Sequence, residues 1–306
     1  MQKKIIALAV AGLVSGAAFA QSNVTIYGVA DVGIAKVDGK SLAASANGTA
    51  NNGSSRLGFK GSEDLGGGLK ANFTMEEQIN LANGAVGSAT DANPFYRQAW
   101  VGLSGGFGEV QIGQNYSGGF KALGQFETSQ TANYSPVLGR FGATGGTRNA
   151  AQVLYMTPSM GGFTVAFGHV LKGNMATDKA QNELAAWYNN GPIAVGLGYA
   201  DNGDGLGKDK MVGGSFNFGM GRAVAGYYDP AGDKKGYSLG VADVKLGPVL
   251  LALDYAKNTA ASMGKPRTTM LEVKYPMSKR TFVYANYLDY TEANSDFWGA
   301  GIRHNF

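Results

Sequence analysis

Basic side chains recur where segments of alternating polar and apolar residues begin, and together they could hold anions. Arg56, Arg97 and Arg148 each stand at such a start. Lys60 follows Arg56 within the first of these segments. A guanidinium group keeps its positive charge at physiological pH and donates several hydrogen bonds in a fixed geometry. Because ladders of arginine and lysine in a narrow water-filled passage favour anions, we predict that these four residues form a basic wall.

Carboxylates at polar positions could form ion pairs with these cations. Asp31, Glu76 and Glu109 lie on the polar sets of their segments, and we expect all three to face the same aqueous interior. Glu76 and Glu109 fall in segments that lie between those carrying the arginines. Each arginine could therefore form a structural ion pair instead of lining a passage. The sequence leaves both roles open.

The chain has few groups for catalysis or metal binding. His169 and His304 are its only histidines, and it contains no cysteine. A serine hydrolase needs a histidine that an acid orients beside the nucleophile, whereas both histidines share the apolar sets of their segments. Two separated histidines without cysteine also make a poor ligand set for a transition metal. We expect no enzymatic activity, no metal and no cofactor.

The first twenty residues have the composition of an export signal. Lys3 and Lys4 precede an apolar stretch, and Ala18-Phe19-Ala20 forms a small-x-small cleavage site. We predict that residues 1–20 are a signal peptide and that residues 21–306 form the mature domain. Loss of the two lysines lowers the formal charge from +4 to +2, which argues against nucleic acid as a partner.

Alternation of apolar and polar residues over segments of about ten positions dominates the remaining chain. In TTMLEVKYP, Leu271 and Val273 alternate with Glu272 and Lys274. Such period-two alternation is typical of strands with two different faces. Charged side chains are almost never fully buried without partners. A water-filled interior therefore fits the polar face better than the packed core of a soluble β-sandwich, which is the alternative.

The connections between these segments are of two kinds, and their order predicts the topology. Seven tight turns rich in Gly, Asn or Pro alternate with eight longer polar connections, which implies sixteen strands. An even number of strands, with short turns at one end and long loops at the other, is typical of outer-membrane barrels. We predict an all-β fold, a 16-stranded antiparallel transmembrane β-barrel in contact with outer-membrane lipid.

The longest connection, residues 115–147, has a composition that suits an interior position. Seven glycines allow it to bend tightly, and Phe120 and Phe126 are among its apolar side chains. Long loops without their own structure are usually functional, and apolar groups gain stability only where they pack. We predict that this third loop folds into the barrel as a constriction. Lys121, Glu127 and Arg140 are its candidate lining residues.

Several motifs along the chain carry a family resemblance. QSNVTIYGVADVGI, SRLGFKGSEDLGGGLKANF, RQAWVGLSGGFGEVQIGQNY and the terminal GIRHNF resemble the Gram-negative general porins, in particular their betaproteobacterial branch. The resemblance implies a homotrimer of barrels, passive diffusion of small hydrophilic solutes and an inward third loop. It also implies that Arg56, Arg97 and Arg148 match the family's basic constriction cluster.

Two departures from the family pattern lower the anion preference that we expect. Family members often carry a basic residue where this chain has Gln114. They also often carry a polar or charged side chain where this chain has Leu154 and Met156. We therefore predict only a modest preference for anions.

The chain ends on an aromatic residue inside an alternating segment. In DFWGAGIRHNF, Trp298, Ile302 and Phe306 fall on one apolar set. A barrel in lipid can have no open edge, so this last segment must pair with the first. By resemblance to outer-membrane proteins, Phe306 is the signal that the barrel-assembly machinery recognises.

Three functional hypotheses remain. The first is an outer-membrane porin that passes small hydrophilic solutes and ions, with anions modestly favoured. The second is a channel that prefers particular small anions, such as carboxylates or phosphate. The third is an adhesin or structural barrel, against which the outer loops other than the third are short and lack large apolar patches.

Overall fold

The computed structural model describes residues 23–87, 93–175, 179–203, 205, 207–260, 262, 264–291 and 296–306. The predicted signal peptide, residues 1–20, lies outside these described residues. No helix in the described ranges is long and apolar enough to cross a membrane.

Sixteen long strands and one short strand form a single antiparallel sheet in the described chain. The strands are β1 (Asn23–Val37), β2 (Ala43–Ser45), β3 (Arg56–Gly66), β4 (Leu69–Gln78), β5 (Gln98–Gly105), β6 (Gly108–Tyr116), β7 (Arg148–Met156), β8 (Phe163–Val170), β9 (Gln181–Asn190), β10 (Ile193–Asp201), β11 (Lys208–Asn217), β12 (Arg222–Asp229), β13 (Gly236–Leu246), β14 (Val249–Asn258), β15 (Arg267–Pro276), β16 (Thr281–Tyr290) and β17 (Phe297–Asn305). Two short helices, α1 (Gly118–Leu123) and α2 (Pro136–Phe141), and a 3-10 turn (Lys172–Asn174) complete the elements of the described residues.

The sheet closes on itself, which confirms the predicted 16-stranded barrel. Each long strand pairs with the next, and β17 pairs with both β16 and β1. The closing register sets Gly33 opposite Gly301 and Val29 opposite Asn305. The short strand β2 lies in the first long connection and pairs with β1 beyond the end of β3. Closure leaves no strand edge in lipid with unpaired backbone groups.

The two faces of the wall follow the alternation in the sequence. Leu253 and Leu271 are 45% and 41% exposed on the outer face, whereas Asp254 and Glu272 are almost fully buried on the inner face. Apolar side chains therefore face lipid and polar side chains face the barrel interior, which we call the lumen.

The third long connection lies against the inner face of the wall. This segment, residues 117–147, is called loop 3 below. Its helix α1 contacts β9 and β10, and α2 contacts β14 and β15. The ring of Phe126 is fully buried and lies over Gly196 and Gly213, where a Cβ atom would come within 2.9 Å and 2.2 Å of it. Glycine at these two wall positions therefore makes room for the loop.

Local capping explains why loop 3 forms two short helices. Ser117 Oγ accepts a hydrogen bond from the Phe120 amide at 2.9 Å, and Ser135 Oγ accepts one from the Leu138 amide at 3.1 Å. Serine is a favoured N-cap residue, and Pro136 occupies the first turn of α2, where its missing N–H costs nothing. The helices place an apolar cluster between loop 3 and the wall instead of at the centre of the barrel.

The C-terminal residue fits a slot in the first strand. Phe306 exchanges two backbone hydrogen bonds with Gly28, at 3.0 Å and 3.1 Å. Its ring lies where a Cβ atom on Gly28 would be only 2.3 Å away. The side chain remains 49% exposed on the outer face, so the last residue takes part in closing the barrel.

Candidate functional site

A cavity of about 760 Å³ lies in the lumen between loop 3 and the wall. Five cationic side chains and one carboxylate line it in the described part of the chain. They are Arg56, Arg97, Arg148, Lys274, Arg303 and Asp243. Three of the four residues of the predicted basic wall therefore meet in one cavity, and Lys60 is the exception.

Glu76 holds two of these arginines together. Arg97 Nε donates to Glu76 Oε1 at 2.7 Å, and Arg56 Nε lies 3.6 Å from Glu76 Oε2. Tyr27 Oη donates to the same carboxylate at 3.1 Å. Ion pairing and cavity lining, the two roles that the sequence leaves open, therefore occur together. One carboxylate between two guanidinium groups leaves a net positive charge.

Arg97 reaches the lumen because the backbone is irregular before β5. Phe95 has a φ of +59°, so regular alternation begins only after this point. Val101 is exposed on the outer face, whereas Gln98 Nε2 reaches Glu76 and Trp100 lines an inner cavity. Gln98 and Trp100 therefore face the lumen.

Tyr116, which the sequence reasoning missed, connects the remaining arginine to this group. Its Oη accepts hydrogen bonds from Arg148 Nη2 at 2.9 Å and from Arg97 Nη2 at 3.3 Å. The Arg148 guanidinium carbon lies 4.5 Å from the centre of the Tyr116 ring, and Phe120 stacks on this ring at 5.1 Å. The phenol thus fixes two cations side by side, since both donate to one oxygen.

Two further cations of the cavity were also missed. Arg303 Nη1 donates to Asn52 Oδ1 at 2.7 Å, and Arg303 Nε donates to Asn305 Oδ1 at 3.2 Å. Lys274 Nζ forms an ion pair with Glu272 at 2.6 Å. Arg303 directly follows the lipid-facing Ile302, so the period-two pattern predicts that its side chain faces the lumen.

Lys60 and Glu109 line a second lumen cavity of about 550 Å³, which is formed by β1 and by β3 to β6. Lys60 Nζ lies 5.1 Å from the centre of the Tyr27 ring. The predicted four-residue ladder is thus divided, because Lys60 and the three arginines line different cavities.

Asp31 faces the inner side but is covered by the first long connection. It is fully buried, and its carboxylate accepts hydrogen bonds from Tyr284 Oη at 2.6 Å, the Gly53 amide at 2.8 Å and Asn51 Nδ2 at 3.2 Å. Asp31 therefore does not contact the open lumen, and it orders residues 51–53 beside the cavity.

The three predicted lining residues of loop 3 have different environments. Glu127 is 1% exposed and does not line the cavity, because Ser129, Ser135 and the Thr131 amide enclose its carboxylate. This burial raises the pKa of the Glu127 carboxyl.

The other two loop residues lie near aromatic rings. Lys121 Nζ lies 5.8 Å from the Tyr116 ring centre, and burial lowers the pKa of its ammonium. Arg140 stacks on Tyr290 at 5.1 Å and donates to Thr268 Oγ1 at 2.6 Å. Lys121 is thus adjacent to the arginine group, whereas Arg140 lies at the β15–β16 wall.

Wall carboxylates hold both ends of loop 3. Glu183 Oε1 accepts from the Gly118 amide at 2.8 Å and from Gln152 Nε2 at 2.6 Å. Asp209 Oδ2 accepts from the Gly145 amide at 2.9 Å, and its other oxygen accepts from the Ala231 amide at 2.7 Å. These carboxylates already serve backbone donors, and no group of three His, Cys, Asp or Glu side chains in the described ranges could hold a metal ion.

Comparison with known proteins agrees with this geometry. The profile of the Gram-negative porin family matches residues 7–305. Outer membrane porin protein 32 of Delftia acidovorans is 34% identical, over 94% of this chain and 88% of that protein. An outer membrane porin protein of Bordetella pertussis is 30% identical over the full length of both chains.

Solved structures give the same result for the fold. The anion-selective porin from Comamonas acidovorans superposes with a TM-score of 0.76 at 27% identity, covering 94% of this chain and all of that one. OmpT of Vibrio cholerae, folded in vitro, reaches a TM-score of 0.68 at 18% identity, over 93% and 98% of the two chains. With a closed barrel, a cation-lined lumen and family similarity over nearly its whole length, the chain belongs to the Gram-negative porin family and forms a channel in the outer membrane.

Proposed function

We propose that this channel passes small hydrophilic solutes and ions by passive diffusion and modestly favours anions. The observation that supports this proposal is the lining of the lumen cavity of about 760 Å³, called the main lumen cavity below. Five cationic side chains and one carboxylate of the described residues line it. That carboxylate, Asp243, pairs with Arg222 at 3.1 Å. A wall of low dielectric constant strengthens the positive field in the water between these side chains.

The preference is modest because part of the charge is compensated. Glu76 and Glu272 pair with Arg97 and Lys274 from behind the lining. Leu154 is fully buried and adds no polar group, and Gln114 donates to the Tyr96 carbonyl at 2.6 Å. The similar porin from Comamonas acidovorans is described as anion-selective, which supports the same sign of selectivity for this chain.

The zero-current potential of single channels across a KCl gradient tests this proposal. We expect a potential that modestly favours chloride. Arg148→Gln should reduce it more than Lys60→Gln, because only Arg148 lines the main cavity. A cation-preferring wild-type channel, or equal shifts in the two variants, would contradict the basic-wall proposal.

A channel that prefers particular small anions is the second candidate. Among the described residues, the partly exposed Arg148 donates only from Nη2, to Tyr116, and Arg56 has only the long contact to Glu76. Such unused donors suit the oxygens of a carboxylate or phosphate. Saturable block of the chloride current by one of these anions would favour this candidate, and a linear response would exclude it.

We further propose that residues 1–20 are removed on export, that the barrel assembles as a homotrimer, and that Phe306 is recognised by the assembly machinery. The half-exposed Phe306 ring at the end of β17 supports the last point. Deletion of Phe306 should reduce membrane assembly while secretion continues. A monomeric band in unheated detergent gels would contradict the trimer.

A further inference from the structure

Apolar side chains line part of the main lumen cavity, although a water-filled barrel interior is usually polar. Phe120 and Leu138 enter it from loop 3, and Leu250, Pro276 and Phe282 enter it from the wall. Leu250 lies on the same inner set of β14 as Asp254, so it does not belong to the lipid face. The apolar wall strip comes from β14 to β16, whereas Arg56, Arg97 and Arg148 lie at the starts of β3, β5 and β7.

The cationic part of the cavity has unused hydrogen-bond donors. All three guanidinium nitrogens of Arg97 already donate a hydrogen bond, to Glu76, Gln78 and Tyr116. In the described structure, Arg148 is partly exposed and donates one hydrogen bond, from Nη2 to Tyr116, and Arg56 keeps a side chain that is 20% exposed. Arg56 and Arg148 therefore keep donors for a carboxylate in the cavity.

The apolar part of the cavity offers the flat ring of Phe282, and the cavity has the volume of a site for a small ligand. Phe282 is half-buried, and Lys274 Nζ lies 5.9 Å from its ring centre. The cavity volume of about 760 Å³ falls within the range of sites for one small organic ligand. Ring faces also attract other rings in offset stacks. A charged head and an apolar ring thus find complementary surfaces in one cavity.

We propose that this cavity binds monocyclic aromatic carboxylates in preference to hydroxylated carboxylates of equal charge and similar size. The ring packs against Phe282 and Leu250, and the carboxylate contacts the cationic side chains of the cavity, of which Lys274 Nζ lies 5.9 Å from the Phe282 ring centre. This inference rests on the proposed channel function and names a solute class for the same site. Because an aromatic ring can bury part of one apolar face, we expect it to bind about fivefold more strongly than a hydroxylated ring does.

Block of the chloride current tests the proposal with benzoate and glucuronate as probes. Both carry one carboxylate on a six-membered ring, and at neutral pH both are ionised. We expect the half-blocking concentration of benzoate to be about fivefold lower than that of glucuronate. Equal half-blocking concentrations in the wild-type channel would overturn the proposal.

Substitutions in the two cavities test whether the Phe282 surface causes the difference between benzoate and glucuronate. Phe282→Gln should bring the benzoate-to-glucuronate ratio close to one while chloride is still preferred. Trp100→Gln is the matched control, because Trp100 is an aromatic residue of the second lumen cavity, and the ratio should not change. An unchanged ratio in Phe282→Gln would refute the assigned surface.

Failure of this proposal can be distinguished from failure of the proposed anion preference and from misfolding of a variant. If the wild-type channel does not prefer chloride, the anion proposal fails, whereas the ratio of the two blockers is still measured directly. Should Phe282→Gln not fold, Leu250→Asn changes a neighbouring part of the apolar strip and carries the same expectation. A wild-type ratio in a folded Leu250→Asn channel would then contradict the proposal.

Discussion

Removing the charge of Glu76 should increase the anion preference of the channel. Glu76 is the carboxylate between Arg56 and Arg97, and its side chain is only 4% exposed. Glu76→Gln keeps an oxygen that can accept from Arg97 Nε, so the arginine retains its position. The variant therefore changes the charge beside the cavity with little change in its shape.

The size of the effect follows from the geometry. Arg56 Nε lies 3.6 Å from Glu76 Oε2, and an anion bound to Arg56 adds about 3 Å, which places it about 7 Å from the carboxylate. Repulsion between two unit charges at this distance is about 0.6 kcal/mol at the dielectric constant of water and about 2.4 kcal/mol at an effective value of 20. The lower figure alone raises the chloride-to-potassium permeability ratio about threefold.

The zero-current potential across a KCl gradient measures this change. The more dilute side should stay near 0.1 M, where the screening length is about 10 Å. Glu109→Gln is the matched control, because it removes the same charge from the second cavity and should cause a smaller shift. A shift toward potassium in Glu76→Gln, or a larger shift in the control, would show that Glu76 does not reduce the positive field of the cavity.

The same variant should lower stability, because the Arg97 charge loses its buried partner. Breaking a buried pair costs about 3–5 kcal/mol, and we expect a loss of about 3 kcal/mol because the hydrogen bond to Arg97 is kept. The temperature at which the folded band disappears from detergent gels measures this loss. An unchanged temperature would show that Glu76 does not stabilise the arginine group.

Three further predictions concern other parts of the channel. Tyr116→Phe removes the acceptor shared by Arg97 and Arg148, so phosphate should block the chloride current at a severalfold lower concentration; an unchanged blocking concentration would contradict the shared-acceptor role. Glu183→Ala removes the acceptor of the Gly118 amide and should increase open-channel current noise, whereas Glu63→Ala, at an exposed position of β3, should not. Gly28→Ala places a Cβ atom 2.3 Å from the Phe306 ring and should cost about 2 kcal/mol of barrel stability in urea unfolding; Gly106→Ala, which meets no neighbour within 4 Å, is the control, and equal costs would exclude the slot.

The barrel was predictable from the sequence because its rules are local. Alternation gives the two faces, and the order of turns and loops gives sixteen strands. Closure between β1 and β17 then follows from the absence of water in lipid. The same rule placed Glu272 inside and Leu271 outside, as observed.

Details of the site were less predictable because they depend on local irregularity and tertiary packing. The positive φ of Phe95 resets the alternation before Arg97. The dipeptide Asn93-Pro94 indicates a turn near this point, but it does not show which side chains then face the lumen. Whether Glu127 faces the lumen or the wall depends on the path of loop 3, which places it among serines. Tyr116 gave no signal either, since a tyrosine at a strand end also fits an interfacial aromatic.

Because loop 3 is anchored away from the arginines, the extent of the loop and the charge of the cavity can change separately in evolution. Glu183 and Asp209 hold the loop on β9 and β11, whereas Arg56, Arg97 and Arg148 lie at the starts of other strands. Insertions or deletions between these two anchors can therefore change how far the loop extends from the wall while the arginine group stays intact. Conversely, a substitution behind the lining, such as Glu76→Gln, changes the charge beside the cavity with little change in its shape. Related channels can thus diverge in size limit and in charge preference independently.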